Sequence, residues 1–243
     1  MQRSPRLFIA AVLSATAVSP SLAAAPVTIG SAGAVAPSEL GVTAVGSRGA
    51  SEGALALVQA TSPKVHALWR PGQPGPSVIS GLQEATVGDT PTARALDFVA
   101  SHQALFGVAP TALRVSAVRP LRERTVVVLQ QLQTIDGVAV DVWHRTMAIT
   151  IDQRGRVIAV SNDTSPAGSV ARATIGLDAA HALALQPGEG GSKDGTRVVV
   201  VGGAGAFEAA VFQVAKLGTF DAVEVVINLH DGTVSSRQSA VRR

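Results

Sequence analysis

The stretch VVVLQQLQTIDGVAVDVWHRTMAITIDQRGRVIAVSND, residues 126–163, decides how the chain folds. Three runs rich in Val, Ile and Thr are punctuated by Asp136-Gly137 and by Gln153-Arg154-Gly155. The first residue types suit a pleated strand and the second a tight turn. Asp-Gly between two such runs signals a two-residue hairpin, because both residues tolerate the positive φ of a type I′ turn. The spacing predicts strands over residues 125–134, 138–151 and 156–161, with 114–118 beside them. The alternation contains a slip. Val138, Val140 and Val142 share one face, whereas Trp143, Met147, Ile149 and Ile151 share the other. On the preceding strand Val127 and Leu129 give way to Leu132. A period of two cannot change face without an extra residue, so matching slips on neighbouring strands predict a bulge or strong coil.

Upstream, DTPTARALDFVASHQALFGV (89–108) reads as a helix. Thr90 or Asp89 can cap its free amides, Pro91 suits its first position and Gly107 supplies a left-handed stop. Ala95, Phe98, Val99, His102, Leu105 and Phe106 form one apolar stripe. His102 has no evident partner nearby in sequence, which favours a core or boundary histidine. KVHALWR (64–70) and SVISGL (77–82) read as short strands broken by PGQPGP (71–76). Residues 24–63, beginning with a Gly-, Ala- and Ser-rich tract, read as a flexible leader.

Downstream the pattern restarts. TSPAGSVARA (164–173) reads as a linker, and Thr174 as the cap of a helix through IGLDAAHALAL (175–185). A loop, GEGGSKDG (188–195), leads to expected strands at 196–201, 207–215, 222–229 and 233–238. ITIDQRGRVIAVS and VVINLHDGTVSSR close the two halves in a similar way. The fold class expected is therefore α+β, with two consecutive modules of a helix on an antiparallel sheet.

Arg3 and Arg6, the apolar LFIAAVLSATAV (7–18) and SLA before Ala24 make an export signal over residues 1–23. A secreted or periplasmic location follows, with no membrane span after cleavage. The net charge of +3 includes those two arginines. The sequence pI of 10.2 reflects a chain with few groups to buffer the alkaline range. RPLRER (119–124) is the one basic cluster and has no aromatic platform, so no nucleic-acid partner is expected. The chain has no cysteine, which excludes disulfides and thiolate metal sites.

No candidate for chemistry stands up. The five histidines, His66, His102, His144, His181 and His230, show neither helical zinc spacing nor an HExxH segment. VVVVGGAGAFE (198–208) has Glu208 where a dinucleotide fingerprint needs its third glycine. The strand-like AAVFQVA then follows, so a glycine-rich hairpin is expected. Asp141 and Asp152 lie in or at the ends of strands and read as ordinary sheet residues. No catalytic residue, metal ligand or cofactor is assigned, and the chain is not expected to be an enzyme. Trp143 and His144 are the candidates for a partner interface.

Taken together, ARALDFVASHQALFGV and the opening stretch resemble the fungalysin/thermolysin propeptide motif. The positions that carry the resemblance are Gln130, Gln131, Gly137, Val138, Val140, Asp152, Gly155 and Val157. Ala139 and Ile135 depart from the family's usual Pro and aromatic residue. Residues 174–243 are similar to the PepSY domain that commonly follows, with Asn228 where Asp is usual. The resemblance divides the chain at 64–165 and 174–243. It implies a prosegment that chaperones and inhibits the catalytic domain of a secreted zinc metallopeptidase. No HExxH follows before SAVRR, so action in trans and a truncated precursor both remain open. So do an envelope binding module without a protease partner and a fragment of a metallopeptidase.

Overall fold

Ser51, Leu55 and Val58 recur at helical spacing and are buried together on α1 (Arg48–Thr61). The computed structural model describes residues 48–240 apart from 72, 167, 203, 204 and 220. The expected signal peptide and the leader up to residue 47 lie outside them. The rest of the expected leader is corrected. Gly49 and Gly53 stand in a helix, where Ser51 donates to the Ala104 carbonyl oxygen and Arg48 lies over the Trp69 ring.

Two short strands follow, β1 (His66–Leu68) and β2 (Val78–Ala85). In α2 (Pro91–Ser101), Thr90 accepts from the Ala93 amide at 3.1 Å and Pro91 holds the first turn, as the capping chemistry requires. The expected single helix is broken at His102, whose φ of −117° separates α2 from α3 (Gln103–Phe106). Gly107 ends α3 with φ 67°. Strands β3 (Leu113–Leu121), β4 (Arg124–Ile135), β5 (Val138–Asp152) and β6 (Arg156–Asn162) match the expected runs closely. Asp136 and Gly137 both take positive φ, 50° and 80°, as a type I′ turn demands.

The expected linker is also corrected, because it contains β7 (Val170–Ala171), paired in parallel with a later strand. Thr174 does not cap α4 (Leu177–Ala184), whose N-cap is Gly176. Its hydroxyl donates instead to the His230 carbonyl oxygen at 2.6 Å. The expected loop at 188–195 holds β8 (Glu189–Gly191). Four strands complete the chain: β9 (Thr196–Gly202), β10 (Gly205–Lys216), β11 (Ala222–Asn228) and β12 (Val234–Ser239).

The described strands form one twelve-stranded, mostly antiparallel sheet, where two separate sheets were expected. Its path runs β1-β2-β6-β5-β9-β10-β11-β12, with β4 and β3 continuing from the other edge of β5. The helices α1, α2 and α3 cover a core that includes Phe98, Phe106, Leu129, Met147 and Ile149. Helix α4 covers another, with Ala180 and Ala184 on Phe212, Val225 and Ile227. Each large apolar side chain buried in this way contributes about 1.5–3 kcal/mol.

Two glycines with positive φ separate backbone strain from steric conflict. Gly137→Ala costs about 1–2 kcal/mol through its left-handed backbone, because an added Cβ meets nothing within 4 Å. Gly81→Ala costs more, since φ 78° is compounded by a Cβ placed 2.1 Å from the Lys64 carbonyl oxygen. Chemical denaturation of the two variants should show that order; equal losses would contradict the close approach of β2 to Lys64.

Candidate functional site

The slip foreseen in the alternation is a wide bulge. Gln130 pairs with Thr146 and Leu132 with Asp141, so Gln131 alone stands opposite residues 142–145 of β5. Gln130 holds the bulge. Its amide nitrogen donates to the carbonyl oxygens of Val142 at 2.6 Å, Arg145 at 3.1 Å and Gln131 at 3.2 Å. Gln131 is buried and clasps the backbone of Ser165, donating to its oxygen at 2.6 Å and accepting from its amide at 2.9 Å. Arg145 reaches from the bulge to the carbonyl oxygens of Asp163 and Val201.

The bulge redirects β5. One edge of β5 pairs with β4 on both sides of the bulge. The other pairs with β6 over residues 147–151, and meets β9 in parallel at Val142↔Val199. Residues 138–140 have no paired strand on that side among the described residues. A cleft of about 550 Å³ opens there, a volume typical of binding sites. Leu132, Ile135, Val138, Val140 and Val198 give it an apolar lining.

Charged pairs flank the lining. Arg114 donates to both Asp141 oxygens at 2.8 Å. Glu208 is almost fully buried, and Arg197 donates to its Oε2 at 2.6 Å. Arg172 Nε stands 2.7 Å from Glu208 Oε1, out of line for a hydrogen bond. Arg172 also pairs with Asp136 in the hairpin turn. A carboxylate this buried is stable only with its partners, so Glu208 ties the turn of the β4–β5 hairpin to β10.

Of the sequence-assigned residues, Val138 and Val140 line the cleft and Gly137 shapes the turn above it. Gln130 and Gln131 build the bulge beside it. At the opposite end of β5, Asp152 is its last residue, Gly155 lies in the turn that follows and Val157 is the second residue of β6. There Asp152 Oδ1 accepts from the Arg154 and Arg156 amides at 2.9 Å. Its Oδ2 accepts from the Arg156 guanidinium at 2.7 and 2.9 Å. Gly155 has φ 78°, and an added Cβ would fall 1.7 Å from the Arg94 guanidinium. Val157 is buried.

Trp143 is half-buried, packed with Val200 and Phe207 against Val198, Ala209, Val211 and Val226. His144 is exposed at φ 53°, its ring 4.3 Å from that of Trp143. It lines a polar recess of about 460 Å³ with Gln213, Glu224 and Gln238. Trp143 thus fastens the bulge to the second part of the sheet, and His144 is the more exposed of the two. His102 does have a partner: its Nε2 lies 2.5 Å from Glu84 Oε1 on β2, below α1. Sequence reasoning passed over Glu208, Arg172 and Arg197. The signal available was a lone charge inside the apolar alternation AFEAAVF.

No protein-family model matches the chain, and no curated protein matches it. Among solved structures, the chain is similar to the Bacillus megaterium YpeB C-terminal domain. The identity is 12% and the TM-score 0.39, over 73% of this chain and 76% of that chain.

Gln130→Ala strips three carbonyl oxygens of a donor and should cost about 1–3 kcal/mol in denaturant unfolding; an unchanged midpoint would show that the bulge holds without it. Asp152 gives a pH signature. Burial pushes its pKa up, but the Arg156 amide and guanidinium and the Arg154 amide together pull it below the ordinary 3.8. A lowered folded-state pKa means that the stabilisation is complete above 3.8 and fades as pH falls below it. Asp152→Asn should therefore flatten the acid limb of the stability profile, and an acid limb as steep as the wild type's would contradict the assignment.

Proposed function

We propose that the chain is a non-catalytic exported protein that grips another polypeptide, and that its partner is a secreted zinc metallopeptidase. In this reading the two helix-covered regions of the sheet act as two modules, binding the catalytic domain as it folds and covering its cleft afterwards. A protein that binds a near-native form of its partner lowers the barrier to folding and then competes with substrate.

One observation carries the reading. The motif residues shared with the prosegments do mechanical work in this chain. Gln130 and Gln131 hold the bulge, Gly137 makes the turn, and Asp152 with Gly155 fixes the far end of β5. Their joint product is a long, bulged β5 whose first residues, 138–141, lie beside an apolar cleft. Such a surface suits recognition of a chain, which needs an extended complementary face.

The test is titration of the exported protein into a thermolysin-like protease. Inhibition at roughly micromolar concentration, with a higher yield of refolded protease, is the expected outcome. If neither appears, the metallopeptidase partner is wrong, and an envelope binding role without a protease takes its place.

A further inference from the structure

We infer that the cleft takes an extended polypeptide segment as an added strand on the open edge of β5, an inference that rests on the polypeptide-binding reading above. Ile135 and Val138 flank a two-residue turn and so form a hydrogen-bonded pair, after which the pairing alternates. By that alternation Val140 points its backbone groups at β4, whereas Ala139 points its amide and carbonyl away, toward the side on which it has no paired strand. Asp141 also points away, but its carbonyl belongs to the bridge with Val199, which leaves its amide open. Ala139 is small and exposed, so nothing bulky stands over its amide and carbonyl.

The edge is also undefended. Proteins blunt exposed edges with proline, lysine or bulges. The outer edge of β3 carries Pro120 and a register shift between Val115 and Ala117. Residues 138–141 have no such device; their single charge, on Asp141, is paired with Arg114.

Charge decides the kind of occupant. Asp141 is paired with Arg114, and Glu208 with Arg197 and Arg172. With the carboxylates and guanidinium groups of its lining already paired, the cleft suits an uncharged extended backbone, which leaves those pairs intact. Its small apolar or β-branched side chains would lie on Ile135, Val138, Val140 and Val198. Residues 138–140 of the open edge span about 10 Å, room for a short strand centred on Ala139.

The probe is the blocked peptide Ac-Val-Thr-Val-Thr-Val-NH2, with a copy N-methylated at alternate amides as its control. Added to isotope-labelled protein at up to roughly 1 mM, the parent peptide should shift the amide resonances of Ala139, Asp141 and Val198 saturably. The N-methylated copy should bind at least about tenfold more weakly, because it lacks the strand donors. The same loss is expected from Ala139→Pro, which removes the amide on the protein side. No shift at the cleft, or equal shifts with both peptides, would overturn the added strand. The protease titration separates the two ideas. Peptide binding without protease inhibition keeps the cleft and sinks the metallopeptidase partner. Inhibition without peptide binding at the cleft does the reverse.

Discussion

Gln130 donates to the carbonyl oxygens of Val142 and Arg145, and through them it sets how far β5 departs from β4. Residues 142–145 have only Gln131 opposite them on β4, so the Val142 and Arg145 carbonyl groups take a side-chain donor where the β4 ladder is interrupted. Leaving such groups bare in a packed sheet costs about as much as many single mutations. The bulge therefore persists because one side chain satisfies what the ladder cannot. It also sets Val142 beside Val199, which makes one sheet of the described strands.

Packing and charge then secure what the bulge has aligned. Trp143 leaves the first helix-covered face and seats among Ala209, Val211 and Val226. Arg172 links Asp136 in the hairpin turn to buried Glu208 on β10. Val142 joins Val199 and Ile135 in a small apolar cluster between them. The consequence is a hairpin end held in place from behind while its outer edge stays open. An open edge is a hazard in a free protein and an asset in one that binds chains.

Local features were legible in the sequence because local chemistry determines them. Asp136-Gly137 announces its turn, Thr90 and Pro91 their helix start, and Gly107 its stop. The bulge was legible too, since a change of face in Val142-Trp143 has few physical causes. Helix α1 was hidden because Gly49 and Gly53 lower helix propensity, whereas tertiary burial of Ser51, Leu55 and Val58 stabilises it. Long-range pairing was not readable. Nothing in the sequence tells that Glu84 faces His102, that Glu208 is buried between Arg172 and Arg197, or that β7 joins β10. The open edge was invisible for the same reason, being defined by where β9 stops accompanying β5.

The single sheet and its open edge both depend on β5 passing from β6 to β9 at the bulge. Nuclear Overhauser contacts between the backbone protons of Val142 and Val199, in the full-length protein, measure that step directly. The structure predicts a strong contact there, with Leu132 facing Asp141 and Gln130 facing Thr146 on the other edge. An uninterrupted β4–β5 register through residues 142–145, with Val142 far from Val199, would contradict it.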